Sequence, residues 1–388
     1  MSNTQQINIV SFIKSVKKLY IVFSSDIDSI IASSLLMRIA WEEGVEVYSA
    51  PFYNATKPYE LGSTVLLVKV LQRTPISGIK TIQLDELVGK DPKVISSLTM
   101  HIVKELKKQI IVPRYIETLS VISMLSLSRG SIYDKNLVDV HKNLLDESID
   151  KNLFTFIDTL RFFGYPKRDI VESLAKTVDP YILKASLDYE GAKIVLESVG
   201  GSLSSDEAKS KLVDILASKL SSYCKSCEPL VGPKIVLRET SYIDDVYEAT
   251  YALHSYMDVQ GIDPLLYICL DDRVIGIAEG VLNYMSRYVK DIIDKIIEGS
   301  GVKKMIIKGV KVGTVDISSV NRVPPLYTVH RILRAIGFTE DVTVFTDGKE
   351  WLLPLPFVAP RWPYDKELIL EKGYAIFKSL QDIGEVFK

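Results

Sequence analysis

The chain is poor in the residues that staple or metallate small folds: 388 residues include three cysteines, four histidines and seven glutamines. Three cysteines exclude a disulfide framework. His101, His141, His254 and His330 stand singly, none paired at the i, i+4 spacing of a helical zinc site, so each reads as surface or core packing. No apolar run reaches the ~18 residues of a membrane helix. Residues 1–18 lack the basic, then apolar, then small order of a secretory signal, so the expected compartment is the cytoplasm. Excess charge is missing too. With 47 basic and 49 acidic residues the net charge is −2. Such a chain does not coat nucleic acid by bulk charge, and any DNA contact falls to local patches. Gly309-Val310-Lys311-Val312-Gly313 lacks the Gly-Lys-Ser/Thr ending of a P-loop, and no Gly-x-Ser-x-Gly elbow is present.

What is present is ordinary globular composition, 47% apolar and 25% charged, in a chain whose length favours two domains over one. Cys224 and Cys227 form one C-x-x-C without a second ligand pair. They read as a disulfide or as small core residues, ahead of zinc.

The first third alternates strand-like and helix-like segments. Residues 19–24 predict a buried strand, 29–43 a helix closed by Gly44, and 45–50, 64–70 and 80–84 three further strands. This order predicts a parallel α/β sheet. From about Pro92 to Tyr223 the pattern turns helical, with helices expected at 116–127, 154–163, 167–176 and 202–222. The last opens on Ser204 and Ser205, with Glu207 close behind in a capping arrangement. Two prolines and a glycine in 225–233 mark a domain boundary. Beyond it come strands at 234–238, 265–270 and 304–308 and helices at 241–257 and 278–298. Val342–Thr346 followed by Asp347-Gly348 predicts a hairpin, and the Pro-rich tail is expected to turn helical from about Asp365. The apolar 351–357 segment packs internally or meets a partner.

The chemistry-bearing spot is Ser24-Ser25-Asp26-Ile27-Asp28-Ser29, where the first strand gives way to the first helix. Ligands of open α/β sheets bind at such carboxyl ends. Two aspartates at i and i+2 in extended chain face one way and reach one cation; alone, the pair reads equally as turn and cap residues. Asp85 ends a later strand, and Asp134 closes Gly130-Ser131-Ile132-Tyr133-Asp134 after a helix.

That order and spacing resembles the DHH phosphoesterases, the superfamily of the RecJ exonucleases. Downstream stretches resemble the archaeal GINS-associated nucleases within it: Thr159 to Pro166, Asp169 to Leu174, Val178 to Ile182 and Leu196 to Gly200. The resemblance covers about the first 200 residues and continues faintly over 242–345. It implies a degenerate DHH domain with a helical insertion over 1–225, a smaller α/β DHHA1-like domain over 226–350, and a tail with a helix over 351–388.

The departures point away from catalysis. Active members carry His before the first D-x-D, where this chain has Ser24-Ser25, and Gly after it, where this chain has Ser29. Their third-strand Asp aligns at or near Lys69, and their Asp-His-His aligns with Asp85-Glu86-Leu87. His254-Ser255-Tyr256-Met257-Asp258 stands where they have an Asn-Ala-x-Gly-Arg-like stretch, and their Gly-Gly-Gly-His motif has no counterpart. Two-metal cleavage needs ions ~3.5–4 Å apart on carboxylate and imidazole ligands. Asp26, Asp28, Asp85 and Asp134 survive without those imidazoles, and a Lys69 ammonium can neutralise them in place of metal.

The eroded pattern resembles the cell division control protein 45 branch of the superfamily. It implies a non-catalytic subunit of an archaeal replicative helicase, nucleoid-associated, bound to GINS and the MCM ring, with possible single-stranded DNA contact and no cofactor. The alternative is an active metal-dependent 5′→3′ exonuclease or oligonucleotide phosphoesterase, with Glu86 as replacement ligand for one Mg²⁺ or Mn²⁺. Basic residues cluster at 14–18 and 104–108, which read as solvated faces. Lys303, Lys304, Lys308 and Lys311, followed by Arg322, Arg331 and Arg334, form the best DNA-binding candidate.

Overall fold

The computed structural model describes residues 8–54, 63–72, 79–90, 94–149, 153–203, 205–238, 243–339, 341–358, 361–362 and 368–387. Ser204, Pro92, residues 241–242 and Asp365 lie outside them. Helix α1 (Ile9–Lys14) leads into strand β1 (Lys18–Phe23), helix α2 (Ile27–Glu42) and strands β2 (Glu46–Pro51) and β3 (Thr64–Val68). Short strand β4 (Leu71–Gln72) precedes β5 (Lys80–Gln83) and the one-turn helix α3 (Leu84–Leu87). The sheet order is β2-β1-β3-β5, and every pairing in it is parallel. Its central strands read as unbroken apolar runs because both faces are covered: Leu19, Ile21, Val22 and Phe23 of β1 and Val65 to Val68 of β3 are buried. Helices α4 (Leu98–Lys107), α5 (Arg114–Ser126) and α6 (Lys135–Ser148) follow, and α2 packs on α4 and α5.

The middle of the chain departs from expectation. Residues 154–163, expected as a helix, begin with strand β6 (Phe154–Leu160). Helices α7 (Ile170–Lys176), α8 (Tyr189–Glu197) and α9 (Asp206–Ser221) follow, and strand β7 (Val231–Leu237) returns antiparallel onto β6. Phe154, Ile157 and Leu160 mimic helical spacing, but the run is rich in Phe, Ile and Thr, and its outer residues are buried while the middle alternates. Ser205 caps α9 by accepting from the Ala208 N–H, as the capping pattern implies. Cys224 and Cys227 are joined as a disulfide, and Cys269 is a buried free thiol.

Helices α10 (Val246–Gln260) and α11 (Arg273–Lys295) pack against each other, and α10 also lies on α5. Between them, residues 265–270 are not the expected strand. Pro264 opens a 3₁₀ turn over Asp263–Tyr267, and the apolar run is buried as turns, with Leu265, Leu266, Ile268 and Cys269 inside. A second sheet contains β8 (Lys303–Ile307), β9 (Val310–Asp316), then after α12 (Leu326–Ala335), β10 (Val342–Thr346) and β11 (Trp351–Pro354). The hairpin at Asp347-Gly348 joins β10 to β11, with Gly348 at φ 90° and the Asp347 carboxylate accepting from the Lys349 and Glu350 N–H groups. One-turn helix α13 (Leu355–Val358) and short strand β12 (Arg361–Trp362), which pairs with β4, follow β11. The described part of the tail is mostly a hairpin, β13 (Ile369–Glu371) with β14 (Tyr374–Phe377), before the short helix α14 (Leu380–Val386). The sheet order is β13-β14-β11-β10-β9-β8, so the 351–357 segment is an inner strand running into α13, with Leu352, Leu353 and Leu355 buried.

One hydrophobic core runs from Ile9 to Val386 and joins both sheets. A separate core gathers Leu160, Phe162, Leu174, Leu196, Leu212 and Leu216 from within 160–230. No helix among the described residues is long and apolar enough to cross a membrane.

Candidate functional site

The carboxyl ends of β1 and β3 lie side by side, tied by the Ser24 N–H donating to the Val68 carbonyl (3.0 Å). The D-x-D segment starts α2 rather than running extended. Asp26 is the N-cap, accepting from the Ser29 N–H (3.1 Å) and hydroxyl (2.6 Å), and Asp28 sits in the first turn. Both aspartates still converge, because Lys69 reaches them from the end of β3. Its ammonium lies 3.1 Å from Asp26 Oδ1 and 2.6 Å from Asp28 Oδ2. Lys69 holds φ at 53°, a left-handed conformation that costs a side-chain-bearing residue about 1 kcal/mol. The ion pairs offset that cost.

Asp28 is fully buried. Its Oδ1 accepts from Ser97 Oγ (2.7 Å), the Thr99 N–H (3.2 Å), Thr99 Oγ1 (3.1 Å) and the Ser123 hydroxyl. Oδ2 accepts from the Leu98 N–H (3.0 Å) and from Lys69. Ser97, Leu98 and Thr99 stand at the start of α4, where Ser97 is itself the N-cap. Burial pushes the Asp28 carboxyl up, but the Lys69 ammonium and the Ser123 and Ser97 hydroxyls hold it well below the usual carboxylate range. Burial pulls the Lys69 ammonium down, while Asp26 and Asp28 hold it above its ordinary value.

The remaining expected site residues spread outward. Asp85 lies in α3 instead of ending β5, with Oδ1 3.2 Å from the Lys90 ammonium. Glu86, in the same turn, is exposed. Asp134 caps α6 through the Asn136 N–H (2.9 Å). The loop before it is gripped by buried Asp179, which accepts from Ser131 Oγ (2.7 Å), the Ile132 N–H (2.6 Å) and Tyr251 OH (3.0 Å). Ser97, Thr99, Ser123 and Asp179 are not among the sequence candidates. The one local signal is the Ser97 capping position, which does not say whose carboxylate it serves.

Two of the scattered histidines belong near this site. His101 bonds Ser96 Oγ at 3.1 Å; burial and Lys90 push its pKa down, with Asp28 and Asp85 opposing. His141 is buried, with Nδ1 2.7 Å from the Leu137 carbonyl; burial pushes it down, while that carbonyl and Asp28 pull the other way. His254 and His330 are buried in an aromatic cluster with Tyr327.

This donor set does not fit a divalent ion. A carboxylate offers roughly four lone-pair directions, and those of Asp28 are taken by hydroxyls, amides and an ammonium. The position between Asp26 and Asp28 that a bridging cation would need is the position of Lys69 Nζ. No three His, Cys, Asp or Glu side chains among the described residues group as metal ligands.

The basic DNA candidates also divide. Arg331 is buried, donating to the Ser126 (3.1 Å) and Ser128 (3.2 Å) carbonyls, with its guanidinium 5.5 Å over the Tyr251 ring. It braces the end of α5 and has no surface to offer a phosphate. Arg334 pairs with Asp341 (3.7 Å), and Arg322 meets Tyr284 OH (2.9 Å). Lys303, Lys304, Lys308 and Lys311 are exposed on the β8–β9 hairpin.

The parallel sheet, the helices on it and the second mixed sheet define a mixed α/β fold, the class that the order of strands and helices in the sequence implies. The particular fold is that of CDC45. The crystal structure of CDC45 from Entamoeba histolytica superposes with a TM-score of 0.58 at 12% identity, covering 97% of this chain and 96% of that one. RecJ from Thermus thermophilus with Mn²⁺ gives 0.40 at 10% identity, covering 98% and 52%. A manganese-bound exonuclease RecJ gives 0.39 at 9% identity, covering 100% and 94%. No family model and no curated protein matches the sequence.

Proposed function

We propose that this chain is a non-catalytic scaffold of DNA replication, a subunit that joins GINS and the MCM ring in a replicative helicase. The observation that carries the reading is the Lys69 ammonium bridging Asp26 and Asp28. Asp26, Asp28, Asp85, Asp134 and Glu86 are then the remnant of a metal-binding pocket, with Lys69 as its resident charge. A cation built into the chain cannot polarise a phosphodiester or activate water as paired metal ions do. What such a protein retains is shape. The CDC45 fold, matched over nearly the whole length of both chains, supports the replication reading; the partners follow from the family that the sequence resembles.

Two measurements test it. Labelled single-stranded DNA incubated with the protein and Mn²⁺ is expected to stay intact, with the same background as an Asp26→Ala, Asp85→Ala variant. Cleavage that the variant abolishes would establish the exonuclease instead. Mixed with cognate GINS and MCM, the chain is expected to co-elute with them in size-exclusion chromatography. Three separate peaks at micromolar concentration would defeat the scaffold assignment.

A further inference from the structure

We propose that the Cys224–Cys227 disulfide is an exchange site for a dithiol protein reductant, and that its reduction unpins the end of α9 from the end of α12. The inference stands apart from the replication reading, because it rests on this turn alone.

The pair sits where two bodies of the fold meet. Cys224 follows α9, its N–H donating to the Leu220 carbonyl (2.7 Å), and Cys227 stands just before β7. Both are half-buried. Among the described residues they are the apolar side chains that pack against both hydrophobic cores, the large one and the separate one within 160–230. The turn between them grips the large body. The Lys225 N–H donates to the Ile336 carbonyl at the end of α12 (3.1 Å), and the Lys225 ammonium lies 5.6 Å over the Phe338 ring. Gly337, at φ 77°, leaves the space that the turn fills: a Cβ there would come within 2.9 Å of Lys225 Cβ and Ser226 Oγ. The far side of the 160–230 unit is attached by other means. Arg168 and Lys176 pair with Glu248 of α10, and Tyr181 OH donates to Asp294 of α11 (2.6 Å). Reduction therefore alters one attachment and leaves the other.

Size and access mark the bond as reducible in the folded chain. The cysteines are three apart in sequence. So short a ring removes little freedom from the unfolded chain, because loop entropy grows with the logarithm of ring size. The bond is a local pin rather than a staple of the whole fold. A hollow of about 330 Å³, open to solvent, is lined by both cysteines with Ala217, Ser221, Glu228 and Pro229. It gives a thiolate a path to the pair, and exposed disulfides are the labile ones. The exchange moves two electrons. One thiolate of the reductant attacks a sulfur of the pair, the Cys224–Cys227 bond breaks, and a mixed disulfide forms. The reductant's second thiolate then displaces that sulfur and closes its own disulfide. Cys224 and Cys227 end as thiols, taking up the two protons that the reductant's thiols release.

The test uses the full chain purified without reductant, with a thioredoxin and its NADPH-dependent reductase as the probe. Samples are quenched with N-ethylmaleimide and read by peptide mass spectrometry. Cys224 and Cys227 are expected to be unlabelled before treatment and both labelled after it, with one NADPH consumed per chain. Buried Cys269 is the internal control and stays unlabelled throughout. Hydrogen exchange on the same two samples reads the consequence. Reduction is expected to speed exchange about tenfold over 224–227 and 336–338, the loss of a backbone hydrogen bond and its local support, and to leave α7 within twofold. Cys224→Ser with Cys227→Ser should exchange like the reduced chain. If that variant fails to fold, the two redox states of the unaltered chain still decide. Labelling of both cysteines before treatment would overturn the proposal, since there would be no bond to reduce. So would labelling that requires denaturant, which would make the bond a fixed structural one. Exchange over 336–338 that agrees within twofold between the two states would overturn the unpinning.

Discussion

Lys69→Met is expected to cost the fold about 3–5 kcal/mol in chemical denaturation, the usual penalty for removing one partner of a buried ion pair. The substitution keeps much of the side-chain volume and deletes the charge. Asp28 is then left as a fully buried carboxylate, with hydroxyls and amides around it but no cation. Two further variants separate charge from backbone. Lys69→Gly relieves the left-handed φ of 53° and should be about 1 kcal/mol less damaging than Lys69→Ala. Asp28→Asn combined with Lys69→Met should recover much of the loss, because a neutral amide needs no counter-ion; contacting residues are where such coupling energies arise. If Lys69→Met costs less than about 1 kcal/mol, the magnitude of a surface pair, Lys69 is not the resident cation of the pocket and the non-catalytic reading loses its support.

The half of the pocket that is legible in the sequence is the half written in local patterns. Continuous apolar runs mark β1 and β3, and a strand followed by capping residues marks the start of α2, which puts Asp26 and Asp28 at the right sheet end. Lys69 is reached through the family resemblance. The Asp28 cradle is illegible for a physical reason. Ser97, Thr99 and Ser123 stand 69, 71 and 95 residues from Asp28, and only tertiary packing brings α4 and α5 to it. The i, i+2 rule for extended chain is also the wrong ground for expecting Asp26 and Asp28 to converge. They meet through a third residue's ammonium, with one aspartate outside the helix and one inside.

The same division explains the misread elements. β6 imitates a helix because Phe154, Ile157 and Leu160 repeat at three-residue intervals, and its partner β7 pairs Leu237 with Phe154 from across the whole intervening helical segment. A strand that far from its partner carries no hairpin signal. In 265–270 the apolar run suggests a strand, but Pro264 opens a turn and is the stronger local constraint. Arg331 follows a basic stretch in the sequence, yet α12 turns it inward to two carbonyls at the end of α5. Charge counted along the chain does not distinguish a guanidinium that meets solvent from one that braces a helix end.

Asp258→Asn is expected to stabilise the protein increasingly as pH rises, by up to about 5 kcal/mol at pH 8 relative to pH 4. Asp258 is buried on α10, where its Oδ2 accepts from the Thr328 N–H (3.0 Å) and hydroxyl (3.3 Å) of α12. Oδ1 has no hydrogen-bond partner among the described residues. Burial pushes its pKa up to about 8, against 3.8 for the free side chain, with only the Thr328 and Tyr327 contacts opposing. Between those values the folded chain holds a proton that the unfolded chain has released, so this group's contribution to stability is complete below about pH 4 and is lost as pH rises through 8. Asparagine keeps an acceptor for Thr328 and has no proton to lose. His254 and His330 act in the opposite sense, since burial first and then Arg331 or Arg334 keep both well below the usual imidazole range and acid must charge them. The slope of the unaltered protein therefore mixes both effects, and the informative quantity is the difference between it and the variant. Denaturant unfolding of both at pH 4.5, 6 and 8 should show that difference widening by about 1.4 kcal/mol per unit in the variant's favour. Parallel profiles would mean that Asp258 is ionised in the folded state, with a cation or water on Oδ1 that the packing of α10 on α12 gives no reason to expect.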